Sequence, residues 1–403
     1  MSQTADILGA SRSSYVRVVG VVSGAHFVSH YYIILLAPLL PFVRAEYAVS
    51  YTEIGLAFAV FNIVSAALQT PAGFLVDRLG ARALLVAGLL TSAGAFIVVG
   101  LTDSFWGMVA MFALAGVGNT VYHPADYALL SQHVPSDRIG QAFSVHTFAG
   151  MLGSAVAPAS LLIMQSQWGW RGAFIGAGAL GIAVAAVLLA IRDQTAVRVH
   201  PASARSGSDL SAAGWRLLLS APILLNLVFF TLLAMISGGL YNYSVVALGA
   251  LYGTPVTTAT AALSGNLLLS AIGVLMGGLL VGRTARHSTV ATVGLASMAL
   301  FAILIAEIDL GMLALIGAMS VTGFFSGVIM PSRDMIVREV TPSGSFGKVF
   351  GFVTTGFNIG GIVSPLIFGA IMDHGSPRLV FLAVAAFSLV AILTVVTRPR
   401  RSA

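Results

Sequence analysis

Cysteine is absent from the 403 residues, and charged side chains make up only 8% of them. The first absence excludes disulfides, thiolate metal ligands and cysteine nucleophiles. The second excludes an ordinary soluble domain, where about 25% charge is expected. No phosphate loop of the G-x-x-x-x-G-K-[ST] kind occurs, so ATP is not the expected energy source. There is also no His-Glu-x-x-His element and no nucleophile paired with a base, so no enzyme is expected. What is abundant is apolar surface: 58% hydrophobic residues, 44 glycines and a mean hydropathy of +0.96. This is the composition of a polytopic membrane protein.

Apolar runs fall at 16–41, 52–72, 82–101, 105–131, 139–165 and 170–191, and again at 217–247, 257–281, 289–306, 310–334, 347–372 and 378–397. Each supplies the ~20 residues that a helix needs to cross the hydrocarbon, and only helices and closed barrels satisfy their own backbone in lipid. The expectation is an all-α protein with twelve transmembrane helices, in two six-helix bundles over 1–191 and 217–403. A polar linker at 192–216 joins them, containing Pro201 and the stretch ASARSGSDLSAAG. The first run follows Arg12 and Arg17 and lacks a small-residue cleavage site, so it reads as a retained span. With both termini in the cytoplasm, 17 of the 20 basic residues lie on that side, and only Arg44, Arg171 and Arg378 lie outside. The net charge of +6 is thereby accounted for by loop orientation, with no nucleic-acid partner implied. The expected setting is the cell membrane, a bacterial inner membrane, with the chain as a monomer.

A shift of 207 residues lays the fourth and fifth spans over the tenth and eleventh. Pro124, Phe143, Thr147, Gly153 and Pro158 then meet Pro331, Phe350, Thr354, Gly360 and Pro365. A shift of 205 lays Gly73, Leu75, Val76 and Arg78 over Gly278, Leu280, Val281 and Arg283. The halves are pseudo-symmetric duplicates. Parallel repeats of six helices are a transporter design in which substrate binds between halves that rock.

The loop after the second span reads Gly73-Phe-Leu-Val-Asp77-Arg78-Leu-Gly80-Ala-Arg82. It resembles the cytoplasmic loop signature of the major facilitator superfamily. That resemblance implies the major facilitator fold, with Gly73, Asp77, Arg78, Gly80 and Arg82 as a conformational loop. Asp77 would sit against the amino terminus of the eleventh span in the outward-facing state. The fourth span, Gly116-Val-Gly118-Asn-Thr-Val-Tyr-His123-Pro124, is similar to the fosmidomycin-resistance branch, a group of proton-driven drug exporters, as is a first span that carries His26 and ends in Pro38 and Pro41. Gly150, Gly153 and Pro158 match part of the fifth-span antiporter signature, with Ala157 in place of the glycine before proline. Phe112 stands where many drug antiporters carry an arginine.

Ionisable residues inside a span are functional candidates by default. Here they are mainly imidazoles. His26 and His30 are four residues apart and share one face of the first helix, with ~6 Å between them along its axis. His123 and His146 sit on antiparallel spans at similar depth. Histidine titrates near about 6.5 when unperturbed, so these four can load and release protons. Asn119 and Asn358 are expected to line the cavity. Asp126 maps onto Arg333 under the 207-residue shift, which raises a gate pair between the halves, or else Arg333 pairing locally with Asp334.

Together these features point to a proton-coupled secondary transporter that moves a small organic molecule by alternating access, in the direction of efflux. The proton gradient is the energy source, and no cofactor and no bound metal are expected. The alternatives are proton-coupled import of an organic anion, and carriage of a metal or metallophore through the histidine cluster.

Overall fold

The structure is a computed structural model that describes residues 2–135, 138–190, 216–342 and 345–396, almost entirely as helices. The linker expected at 192–216 lies outside the described residues except for Arg216. Contacts divide the chain into two compact units, one of residues 1–43 and 60–197, the other of 44–59 and 198–403.

The first unit begins with α1 (Ser2–Ile34), α2 (Leu40–Tyr47), α3 (Tyr51–Leu79) and α4 (Ala81–Leu101). It continues with α5 (Phe105–Asn119), α6 (Tyr122–His133) and α7 (Ile139–Ala190). Two spans read from sequence as continuous are broken, each at the point a proline dictates. The ring of Pro38 would meet the carbonyl of Ile34, where α1 ends, and that of Pro124 would meet the carbonyl of Thr120, between α5 and α6. Conversely α7 is 52 residues long, about 78 Å at 1.5 Å per residue, and contains two spans joined at Gly169, whose φ of 69° suits glycine. The core of the unit includes Phe96, Phe112 and Phe174, all buried, with ring centroids 5.6 to 6.2 Å apart. Phe112 is thus a packing residue in a place where a charge would have had no partner.

The second unit contains α8 (Ala221–Gly238), a π-helical segment (Gly239–Tyr243) and α9 (Ser244–Tyr252). These are followed by α10 (Val256–Val281), α11 (His287–Glu307), α12 (Gly311–Val340), α13 (Phe346–Asp373) and α14 (Arg378–Val396). Helices α10 and α12 meet backbone to backbone. A Cβ on Gly277 would stand 2.6 Å from the carbonyl oxygen of Val328, and one on Gly323 or Gly327 would strike the carbonyls of Asn266 or Ser270. Such small-residue seams let membrane helices gain dispersion energy that lipid tails would otherwise supply. Among the described residues ten helical stretches are long and apolar enough to cross a membrane. With α7 counted as two stretches and α1 added, the helices number the twelve expected from sequence.

The unit boundary differs from the sequence reading at residues 44–59, which group with the second unit. The cause is a close approach of α3 and α13. A Cβ on Gly55 would lie 2.6 Å from the Pro365 carbonyl oxygen, and one on Gly369 would lie 2.8 Å from the Tyr51 carbonyl oxygen. The Tyr243 hydroxyl donates to Pro365 O at 2.7 Å. Asp373 closes the seam from the end of α13, accepting from Tyr51 N (2.7 Å) and Thr52 N (2.9 Å), two of the free donors at the start of α3. An aspartate in that position acts as a helix cap, worth about 1 kcal/mol. Asp373→Ala is therefore expected to lower stability by ~1 kcal/mol, read as a fall in melting temperature in detergent. An unchanged melting temperature would show that water satisfies those amides equally well.

Candidate functional site

The first unit gathers three of its helices around one carboxylate. Asp126 on α6 has no exposed surface. Its Oδ2 lies 3.4 Å from His26 Nδ1 on α1 and 3.7 Å from His146 Nε2 on α7. The two imidazoles stack with centroids 3.9 Å apart, and His30 and His123 follow at 4.5 and 5.3 Å from His26. Local sequence builds this arrangement. The four-residue spacing puts His26 and His30 on one face of α1, and Asp126 follows His123 by three residues on α6. Gly150 on α7 then makes room for the rings, since a Cβ there would collide with His26 and stand 3.0 Å from His30 Cδ2.

The four imidazoles differ in exposure. His26 and His146 are buried, His30 is half-buried, and His123 is exposed. His30 Nδ1 is 3.3 Å from Ser154 Oγ. The rings of His123 and His146 each face Tyr127, at 6.1 and 6.0 Å. Both oxygens of Asp126, both ring nitrogens of His146 and His26 Nδ1 make no hydrogen bond. A buried polar group without a partner costs free energy, and several converging on one point mark a place built to take up something small and polar. That is the chemistry of proton exchange. Nitrogen and oxygen atoms of the His26, Asp126 and His146 trio also lie within 4.8 Å of one another, a spacing that by itself admits a metal ion.

A gate between Asp126 and Arg333, and local pairing of Arg333 with Asp334, were the two readings for these residues. Asp126 turns to the histidines of its own unit, and Arg333 Nε donates to Asp334 Oδ1 at 2.9 Å in the second. The signal for Asp126 was its place one turn from His123 in an apolar span. Asn119 is half-buried and donates to Ser65 Oγ at 3.2 Å, which joins α5 to α3. Asn358 is half-buried in the second unit. In the loop signature, Gly73 has open space around it, Gly80 takes a φ of 91°, and Asp77 and Arg78 are exposed. Arg82 donates to the Leu188 carbonyl through Nε (3.2 Å) and Nη2 (2.7 Å), and so ties α4 to the end of α7.

A twelve-span helical protein built from two repeat units, with a charged cluster inside one of them, has the form of a secondary transporter. Comparison with known proteins gives the family. The family model of the Major Facilitator Superfamily matches residues 22–252 and 227–403, and the chain belongs to that superfamily. It is 24% identical over 390 residues to the fosmidomycin resistance protein of Escherichia coli (strain K12), covering 94% of this chain and 92% of that one. It is 26% identical over 394 residues to the probable sulfoacetate transporter SauU of Cupriavidus necator, covering 91% and 89%. The fold is shared with the crystal structure of a mutant of the nucleoside transporter NupG, at a TM-score of 0.79, 13% identity and coverage of 94% and 98%. The protein is a multi-pass membrane transporter and not an enzyme.

Gly150 offers a direct check on the cluster. Gly150→Ala is expected to force the His26 and His30 rings aside, at a cost of about 1–3 kcal/mol from overpacking. Thermal unfolding reads that cost, and a neutral result would mean the rings have other room.

Proposed function

We propose that the chain is a proton-coupled transporter that exports a small organic molecule, with Asp126, His26 and His146 as the coupling group and His30 and His123 leading to it. The observation that carries this reading is the burial of Asp126 with Oδ2 facing two imidazoles and neither oxygen hydrogen-bonded. One proton added to or removed from this set changes its charge by one. A buried charge is costly, so protonation is tied to whether the cluster is dry or reachable by water. A transporter needs such a tie, because it must release the proton on a different side from where it binds. The ionisable groups around Asp126 are His26 and His30 on α1, Tyr122, His123 and Tyr127 on α6 and His146 on α7, so the titration belongs to the set. The direction of transport is supported by the similarity to a drug-resistance protein along 94% of the chain. In this reading Gly73, Asp77, Arg78, Gly80 and Arg82 govern the change of state.

The test is proteoliposomes with an imposed pH gradient, a pH dye inside and a compound panel outside, with Zn²⁺ included as cargo. Asp126→Asn is expected to lower substrate-evoked proton movement by roughly tenfold or more, the scale of one pKa unit of protonation. It should leave gradient-free counterflow of the same compound intact. His26→Ala and His146→Ala should follow Asp126→Asn, while His30→Ala and His123→Ala act less. Coupling that survives Asp126→Asn would remove the cluster from the mechanism. Zn²⁺ counterflow that is lost in the same variants would transfer the site to a cation carrier.

A further inference from the structure

The second unit holds a seam of polar and charged side chains that the coupling group leaves unused. Arg333 lies seven residues from the end of α12, about 10 Å at 1.5 Å per residue, with its side chain only 13% exposed. Its guanidinium carbon stands 4.7 Å from the ring of Phe230 on α8 and 5.0 Å from that of Phe357 on α13, and these rings are 4.8 Å apart. Stacking on the rings fixes the guanidinium plane. Asp334 takes Nε, leaving the two Nη groups as an open fork. Asp334 is itself about half exposed, so much of its charge is met by water.

Two turns further along the same seam is a group of hydroxyls. Ser326 precedes Arg333 by seven residues on α12, and Ser237 follows Phe230 by seven on α8, so both lie about 10 Å from the guanidinium end. Between them the Tyr241 hydroxyl is turned toward Ser237, Ser270 and Ser326. Ser270 is buried, while Ser237, Tyr241 and Ser326 are half-buried. Tyr241 stands in the π-helical segment, where one wide turn re-aims side chains, a feature frequent at functional sites.

From these observations we infer that the second unit binds a small organic anion bearing hydroxyl groups, with the Arg333 fork taking the acid group and Ser237, Tyr241, Ser270 and Ser326 taking the hydroxyls. A guanidinium fork matches the two oxygens of a carboxylate, phosphonate or sulfonate, and hydroxyls can both donate to and accept from an alcohol. The inference rests on the transporter reading of the fold and is independent of proton coupling.

The experiment measures ligand-induced thermal shift and affinity in detergent at one fixed pH, so that no gradient enters. The probes are gluconate and 2-hydroxyethylphosphonate, with glucitol (hydroxyls, no acid) and hexanoate (acid, no hydroxyls) as controls. Both hydroxylated anions are expected to stabilise the protein, and glucitol and hexanoate to do so at least about tenfold more weakly in affinity. Arg333→Gln should weaken gluconate by about tenfold or more, with Arg333→Lys in between because it keeps the charge and loses the fork. Tyr241→Phe should weaken gluconate and leave hexanoate unchanged. The inference is overturned if neither anion binds, if glucitol binds as well as gluconate, or if Arg333→Lys and Arg333→Gln both melt as the parent does unliganded and bind gluconate as it does. Failure of proton coupling in Asp126→Asn leaves these results untouched.

Discussion

A carboxylate enclosed by protein and faced by imidazoles is the constraint on which the first unit depends. In a medium that solvates charge poorly, Asp126 is tolerable only with neighbours that can share or neutralise its charge, and α1, α6 and α7 must bring those neighbours to within 4 Å. That requirement explains several features which would otherwise be separate. Pro124 ends one helix and starts another just ahead of Asp126, and Gly150 clears space for two rings. Ser154 holds His30 from the far side. The aromatic packing of Phe96, Phe112 and Phe174 fills the rest of the unit with groups that need no partner.

The duplication shows how one scaffold carries two chemistries. Under the 207-residue shift Asn119 and Asp126 become Ser326 and Arg333, and Gly150 becomes Phe357. The spacing of seven residues is kept in both halves, across the break between α5 and α6 in the first and within α12 in the second, while the charge is reversed. The glycine that admits imidazoles in the first unit is replaced by a ring that carries a guanidinium in the second. Each half has thus kept the same backbone positions for its ionisable group and changed what surrounds it. In the first the surroundings are imidazoles, and in the second they are aromatic rings around a guanidinium.

The fold was legible in the sequence because a membrane allows few solutions. Long apolar runs must be helices, and a loop signature with Gly80 at a positive φ has few backbones to choose from. Where the reading failed, the cause was local. Span boundaries at Ile34 and Thr120 follow from proline rings acting four residues back, a reach that hydropathy averages away. The histidines were found because imidazole is rare in lipid and stands out. Asp126 was seen, but its imidazole neighbours were not, because only the fold brings α1 and α7 over it. Tyr241 escaped because a tyrosine in an apolar span is ordinary. Its neighbours Ser237 and Ser326 come from helices whose juxtaposition no spacing rule predicts, and the π-helical turn that aims it has no sequence mark.

If Arg333 holds an anionic cargo and the Asp126 cluster carries the proton, the two proposals together bear on direction as well as on cargo. If a monoanion leaves while one proton enters, each cycle carries two positive charges' worth inward. At ~2.3 kcal/mol per charge per 100 mV, an inside-negative membrane then adds roughly 4.6 kcal/mol per 100 mV to export, beyond the pH gradient itself. If the same anion enters with one proton, no net charge crosses and the potential contributes nothing. On those two proposals voltage is the quantity that separates exporter from importer. A cell holding an inside-negative potential would expel such an anion with more force than the proton gradient alone could supply.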